Sequence, residues 1–166
     1  MSTSTGNRII GFPNPVDEVS ARLVAGGVLL MGIAALATHN RVLLAVMAYG
    51  FVARVLTGPK LSPLGRFAMK VAAPRLGDPK YVPGPPKRFA QGVGVAFTTA
   101  ALVAWLLGAT TVTDVLLGLL IVASGLEAIF AVCLGCHVFA VLMRIGVIPD
   151  DVCEECNNIW ARRAPA

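Results

Sequence analysis

The four cysteines of this 166-residue chain form two pairs of identical spacing, Cys133-Leu134-Gly135-Cys136 and Cys153-Glu154-Glu155-Cys156, with sixteen residues between them. Positions three or four apart share a helix face, so Cys133, Cys136 and His137 are expected as neighbours. A helical Cys-x-x-Cys is the usual unit of dithiol-disulfide exchange or sulfur relay. In that reading His137 and Arg144 favour a thiolate at Cys133 or Cys136, Cys153 and Cys156 exchange with a cytoplasmic carrier, and no cofactor is required. Glu154 and Glu155 would raise the thiol pKa values of the second pair and blunt it as a nucleophile. The same spacing fits a structural zinc site, with Cys133, Cys136, Cys153 and Cys156 closing a tetrahedron. An apolar helix is a poor setting for metal thiolates, which prefer hydrogen-bonded polar surroundings. Haem attachment through Cys133, Cys136 and His137 lacks an evident axial partner and the right side of the membrane. Inert buried cysteines are the remaining reading, and a structural disulfide is not expected at a reducing cytoplasmic face.

The elements that must carry these residues follow from composition. The chain is 56% hydrophobic and only 14% charged, against about 25% charge in a soluble domain. Apolar runs at 19–37, 42–56, 89–107 and 115–143 are separated by polar or Pro/Gly-bearing segments. Lipid offers backbone groups no partners, so such runs must be helical. The expected fold is an all-α integral membrane four-helix bundle of one domain, two helical hairpins closed at 38–41 and 108–114. A middle loop at 57–88 is too rich in proline for one continuous helix, but 64–73 reads as a short amphipathic helix along the membrane surface. Gly146 and Pro149 read as a stop and turn, after which Asp150 or Asp151 caps a short helix in the tail at 144–166. Asn14-Pro15-Val16-Asp17-Glu18 reads as a turn capping the first helix. Recurrent glycines, Gly26, Gly27, Gly32, Gly92, Gly94, Gly118 and Gly125, are expected to permit close helix packing.

Lys60, Arg66, Lys70, Arg75, Lys80, Lys87 and Arg88 all lie in the middle loop, whereas the two short turns contribute only Arg41. Positive charge stays inside, so the loop and both termini are expected on the cytoplasmic side of a bacterial inner membrane. The net charge of +5 is then a topology signal, not a nucleic-acid footprint. Although Ala35-Leu36-Ala37 resembles a leader cleavage site, Asp17 and Glu18 before the run argue for a retained span. Arg54 and Glu127 are ionisable residues inside apolar runs, at matching depths of roughly 19 and 18 Å. They are expected to form an intramembrane ion pair; otherwise Arg54 snorkels and Glu127 is protonated. Arg54 also admits a reading as part of a small-anion transporter.

On Asn14-Pro15-Val16-Asp17, the proline-rich segment at 80–89, Cys133-Leu134-Gly135-Cys136, and Gly146-Val147-Ile148-Pro149 leading to Cys153-Glu154-Glu155-Cys156, the sequence resembles the bacterial membrane-protein family called domain of unknown function 4395. The resemblance covers most of the chain and implies about four spans. A loose association with rhodanese-like and thioredoxin-like neighbours implies such a protein as partner, besides the lipid bilayer and a second copy of the chain. Thiol redox or sulfur relay is the expected function, with a zinc-bearing scaffold or partner-binding subunit as the alternative.

Overall fold

The computed structural model of the protein describes residues 11–76 and 78–153. Its elements are β1 (Val16–Asp17), α1 (Glu18–Thr38), α2 (Arg41–Thr57), α3 (Pro63–Phe67), a wide π-type turn at Ala68–Ala72, α4 (Ala73–Leu76), β2 (Tyr81–Val82), α5 (Gly84–Leu106), α6 (Thr110–Phe130), α7 (Leu134–Arg144) and a 3-10 turn at Asp150–Cys153. Helices α1, α5 and α6 are each long and apolar enough to cross a membrane. Helix α2 has 17 residues, at the lower edge of the roughly 17–25 that a bilayer requires.

Local chemistry sets the helix starts. The Asp17 carboxylate accepts from the Val19 and Ser20 N–H groups at 3.1 and 3.2 Å, which is the capping role expected of the Asn14–Glu18 segment. Asn40 does the same for α2, through the N–H groups of Val42 and Leu43. Helix α5 begins at Gly84, five residues before the expected Phe89, because Pro85 and Pro86 occupy its first turn, where a missing N–H costs nothing. Lys87 and Arg88 therefore belong to a helix and not to the middle loop. The short helix expected at 64–73 is the irregular helical stretch from α3 to α4, with Ala68 buried and Phe67 and Met69 exposed.

Helix α1 packs on α2 and α6, and α5 packs on α2 and α6. The shared core holds Val24, Val28, Leu44, Met47, Phe51 and Leu117 among others. Leu30, Val42, Leu106, Leu119 and Val122 are exposed, so the long helices present apolar side chains outward as well as inward. Of the expected packing glycines, Gly94 fits: a Cβ there would clash with the edge of the Phe51 ring. Gly92 and Gly118 instead face open space.

The expected span at 115–143 is two helices. Helix α6 stops at Phe130, and Ala131 takes a left-handed φ of 58°, a conformation that costs a non-glycine residue about 1 kcal/mol or more. The guanidinium of Arg22, in α1, donates to the Ala128 carbonyl at 3.0 Å and to that of Ile129 at 3.1 Å. Charge-assisted bonds contribute about 1.5–3 kcal/mol each, and a cation suits the negative end of a helix, so the cap outweighs the strain. After the break, α7 lies against the first turns of α5. A Cβ on Gly135 would come within 2.5 Å of the Ala90 Cβ, and the Phe89 and Phe139 rings meet at 5.6 Å between centroids.

Replacing the Arg22 cap by an isosteric apolar chain, Arg22→Met, is expected to cost about 2 kcal/mol and lower the melting temperature of the detergent-solubilised protein by several degrees, with Arg22→Lys recovering part. Scanning fluorimetry on the tryptophans checks it; unchanged melting of Arg22→Met would remove the cap from the account.

Candidate functional site

The break in the chain decides where the first cysteine pair sits. Cys133 is extended, with φ −91° and ψ 102°, and is the N-cap of α7. Its sulfur accepts from the Cys136 N–H at 3.4 Å, so Cys136 stands in the first turn of the helix. Both are free thiols, Cys133 buried and Cys136 half-buried. The expectation of two cysteines embedded mid-helix is thereby corrected: they occupy a helix start, where unsatisfied N–H groups and the positive end of the helix stabilise a thiolate.

Electrostatics differentiates the two sulfurs. A hydrogen bond from the Cys136 thiol holds the Cys133 pKa below the ordinary thiol value; burial opposes this, the Glu127 carboxylate also opposes it, and the Lys87 ammonium assists it. The same bond, with burial behind it, pushes Cys136 up. The pair thus divides into a thiolate-forming Cys133 and a proton-holding Cys136.

Beside Cys133, Lys87 Nζ donates to Glu127 Oε1 at 2.5 Å, with both side chains largely shielded from solvent. The expected Arg54–Glu127 pair is not formed. Arg54 donates from Nε to Gln91 Oε1 at 2.7 Å and from Nη1 to Ser62 Oγ at 3.2 Å, and its guanidinium lies 4.5 Å from the centre of the Phe51 ring. The reason is the early start of α5. It brings Lys87 and Gln91, one turn apart on one face, between α2 and α6, where Lys87 reaches the acid first. Cys133, Glu127, Gln91 and Ser124 line one part of an otherwise apolar cavity of about 380 Å³.

His137 does not face either sulfur with its bonded nitrogen. Its Nδ1 donates to the Cys133 carbonyl at 2.9 Å, which orients the ring and the helix start. Arg144 stands at the far end of α7, eight residues past Cys136 and about 12 Å along the axis, and so cannot activate the thiols as expected.

The chain does turn back after α7. Gly146 adopts φ 77°, a value glycine tolerates without strain, and the 3-10 turn returns Cys153 onto Phe139, Met143, Phe89 and Ile148. Cys153 is disulfide-bonded, whereas a structural disulfide was not expected there. Cys156 lies outside the described residues. Phe139 and Met143 follow Cys136 by three and seven positions, so Cys153 rests on the helical stripe that carries Cys136, about one to two turns further on. Among the described residues no three His, Cys, Asp or Glu side chains stand close enough to hold a metal ion.

Sequence periodicity assigns no role to Arg22, Lys87, Gln91 or Ser62. Arg22 carried a usable signal, a cation inside the first apolar run, and Lys87 carried a weaker one, directly after a Pro-Pro helix start.

Two outcomes are expected at this site. At neutral pH iodoacetamide should alkylate Cys133 at least about tenfold faster than Cys136, since only the former carries appreciable thiolate below the ordinary thiol range of about 8.5. Removing the donor in Cys136→Ala should shift the pH midpoint of Cys133 alkylation upward; peptide mass mapping that finds equal labelling, or no shift, contradicts the assignment. For the ion pair, Lys87→Met and Glu127→Gln should each destabilise by about 3 kcal/mol, and the double variant by little more than either alone. Additive losses in a double-mutant cycle would show that the two groups do not depend on each other.

No curated protein and no solved structure matches the chain. Residues 16–144 match the family described as domain of unknown function, DUF4395, a stretch that holds the four long helices, α7 and the Cys133–Cys136 pair and stops short of Cys153. The chain therefore belongs to the DUF4395 family.

Proposed function

We propose that the protein is a four-helix membrane bundle that performs dithiol-disulfide exchange through Cys133 and Cys136. The observation carrying this reading is the placement of Cys133 as the N-cap of α7, its sulfur accepting from the backbone N–H of Cys136 one turn on. The bundle consists of α1, α2, α5 and α6, with the apolar outer surface facing lipid. The clustered Lys and Arg residues between α2 and the body of α5 favour that end as cytoplasmic, in a bacterial inner membrane.

In the reaction the Cys133 thiolate attacks one sulfur of a disulfide, forming a mixed disulfide and releasing the other sulfur as a thiolate. Cys136 gives up its proton and attacks Cys133, which releases the second sulfur. Cys133 and Cys136 end oxidised, and the attacked disulfide ends as a dithiol. Disulfide-bonded Cys153, on the same side of α7, supplies the acceptor, with Cys156 as the other sulfur of that couple. A cytoplasmic thioredoxin-like or rhodanese-like protein would exchange with that couple in turn. Phe139 and Met143 lie between Cys153 and the first pair, so exchange requires the segment after Gly146 to shift along α7. Joint zinc coordination would require all four sulfurs to remain about 4 Å apart, as tetrahedral Zn–S bonds of about 2.3 Å impose; the apolar side chains beneath Cys153 favour a transient approach over a permanent one.

Cys136→Ser should arrest the first step. Non-reducing peptide mapping of that variant is expected to show Cys133 in a mixed disulfide with Cys153 or Cys156, or with a co-purifying carrier, and Cys133→Ser should abolish it. About one equivalent of zinc in the purified protein, lost on Cys156→Ser, with no disulfide to Cys133 under mild oxidation, would reject exchange in favour of a structural metal.

A further inference from the structure

The charges buried in the helix ring do not balance where Arg54 stands. Arg54 is 5% exposed, yet its hydrogen-bond partners, Gln91 and Ser62, are neutral. The Phe51 ring eases the burial of a cation without cancelling its charge. Lys87 is neutralised by Glu127. Asp17, an acid in the same cavity wall, directs its carboxylate to the N–H groups of Val19, Ser20 and Lys80 and to the Ser20 hydroxyl. Among the described residues no carboxylate forms an ion pair with Arg54. A buried guanidinium left without a counter-charge is costly, and it is retained where an anion completes it.

A cavity supplies the room. Arg54, Lys87 and Gln91 form part of the wall of a space of about 390 Å³ beneath the 11–17 segment and the α3–α4 stretch. Nη2 of Arg54 makes no protein hydrogen bond, although no enclosed side-chain nitrogen or oxygen among the described residues lacks a partner. That nitrogen is therefore open to the cavity. The remaining walls are mostly apolar, including Phe12, Pro13, Val24, Met69 and Tyr81. At roughly 30 Å³ per small group the space takes about a dozen non-hydrogen atoms.

We infer that this cavity is a binding site for an organic anion, its phosphate or carboxylate head on Arg54 Nη2 and its short apolar body between α1 and the α3–α4 stretch. The planar fork of arginine suits such a head, and the apolar walls select against a bare inorganic ion. The site adjoins the cysteine centre, sharing Gln91 with its cavity and Lys87 with its ion pair, and it stands whether or not the thiols exchange. A membrane phospholipid and a free amphiphilic metabolite share this chemistry.

The full chain in phosphatidylcholine nanodiscs provides the test, with octyl phosphate, octanol and inorganic phosphate as probes. Octyl phosphate should bind saturably and raise the melting temperature, at least about tenfold more tightly than either octanol or inorganic phosphate. Arg54→Gln should weaken it by about tenfold or more. Ala21→Trp, which fills the cavity from its α1 wall and leaves Arg54 in place, should do the same, so the test stands if Arg54→Gln fails to fold. Nanodiscs containing phosphatidylglycerol should compete with octyl phosphate if the natural source is lipid and leave its binding unchanged if it is a free anion; either result supports the site. Equal binding of octanol, equal binding of inorganic phosphate, no binding of octyl phosphate, or undiminished binding by Ala21→Trp would overturn it.

Discussion

The structure turns on the end of one helix. Arg22 reaches from the second turn of α1 to the last carbonyls of α6, groups that no residue of α6 itself can satisfy. With those carbonyls capped, the chain can leave the helix through a left-handed Ala131 and restart three residues later. Without the break, Cys133 would be one more apolar position on a long helix. With it, Cys133 becomes an N-cap whose sulfur meets a free N–H, and α7 is redirected onto the start of α5. The contact of Gly135 with Ala90 holds that direction, since any larger residue would push the two backbones apart.

Burial of polar groups in an apolar ring follows one rule, that each must find a partner within the protein. Here the partners gather at the end where α5 starts and α6 stops. Lys87 and Gln91 occupy successive turns of α5, the first serving Glu127 and the second serving Arg54. The Lys87–Glu127 pair lies close enough to the cysteines for both charges to act on Cys133, in opposite senses. The two charges oppose each other at Cys133, and the Cys136 hydrogen bond is the largest influence on the asymmetry between the thiols. The same accounting leaves Arg54 with charge to spare beside a cavity.

Much of the frame was legible in the residues alone. Apolar runs located α1 and α2 to within one position at each end, but missed the starts of α5 and α6 by five residues each and ran past the end of α6. Asp17 was readable as a cap because its acceptor and the N–H groups it serves are two and three residues apart. Gly146 and Pro149 marked the reversal after α7 for the same local reason. The break at Ala131 was not readable, because residues 128–134 are uniformly apolar and alanine there favours helix. Matching depths for Arg54 and Glu127 gave the right end of the ring but the wrong pair: depth along two helices does not say which faces meet, and a nearer ammonium takes the acid.

Sequence by itself determined the helical, apolar character of the chain, its local caps and stops, and the spacing that makes two dithiols. These depend on interactions within about four residues or on composition summed over a span, both of which survive in one dimension. Tertiary structure alone decided that Arg22 ends a helix 106 residues away, that Glu127 pairs across 40 residues with Lys87, and that Cys133 caps a helix start. Those outcomes depend on which helix faces come together, and a buried charge or an open carbonyl takes whatever partner packing brings within hydrogen-bond distance.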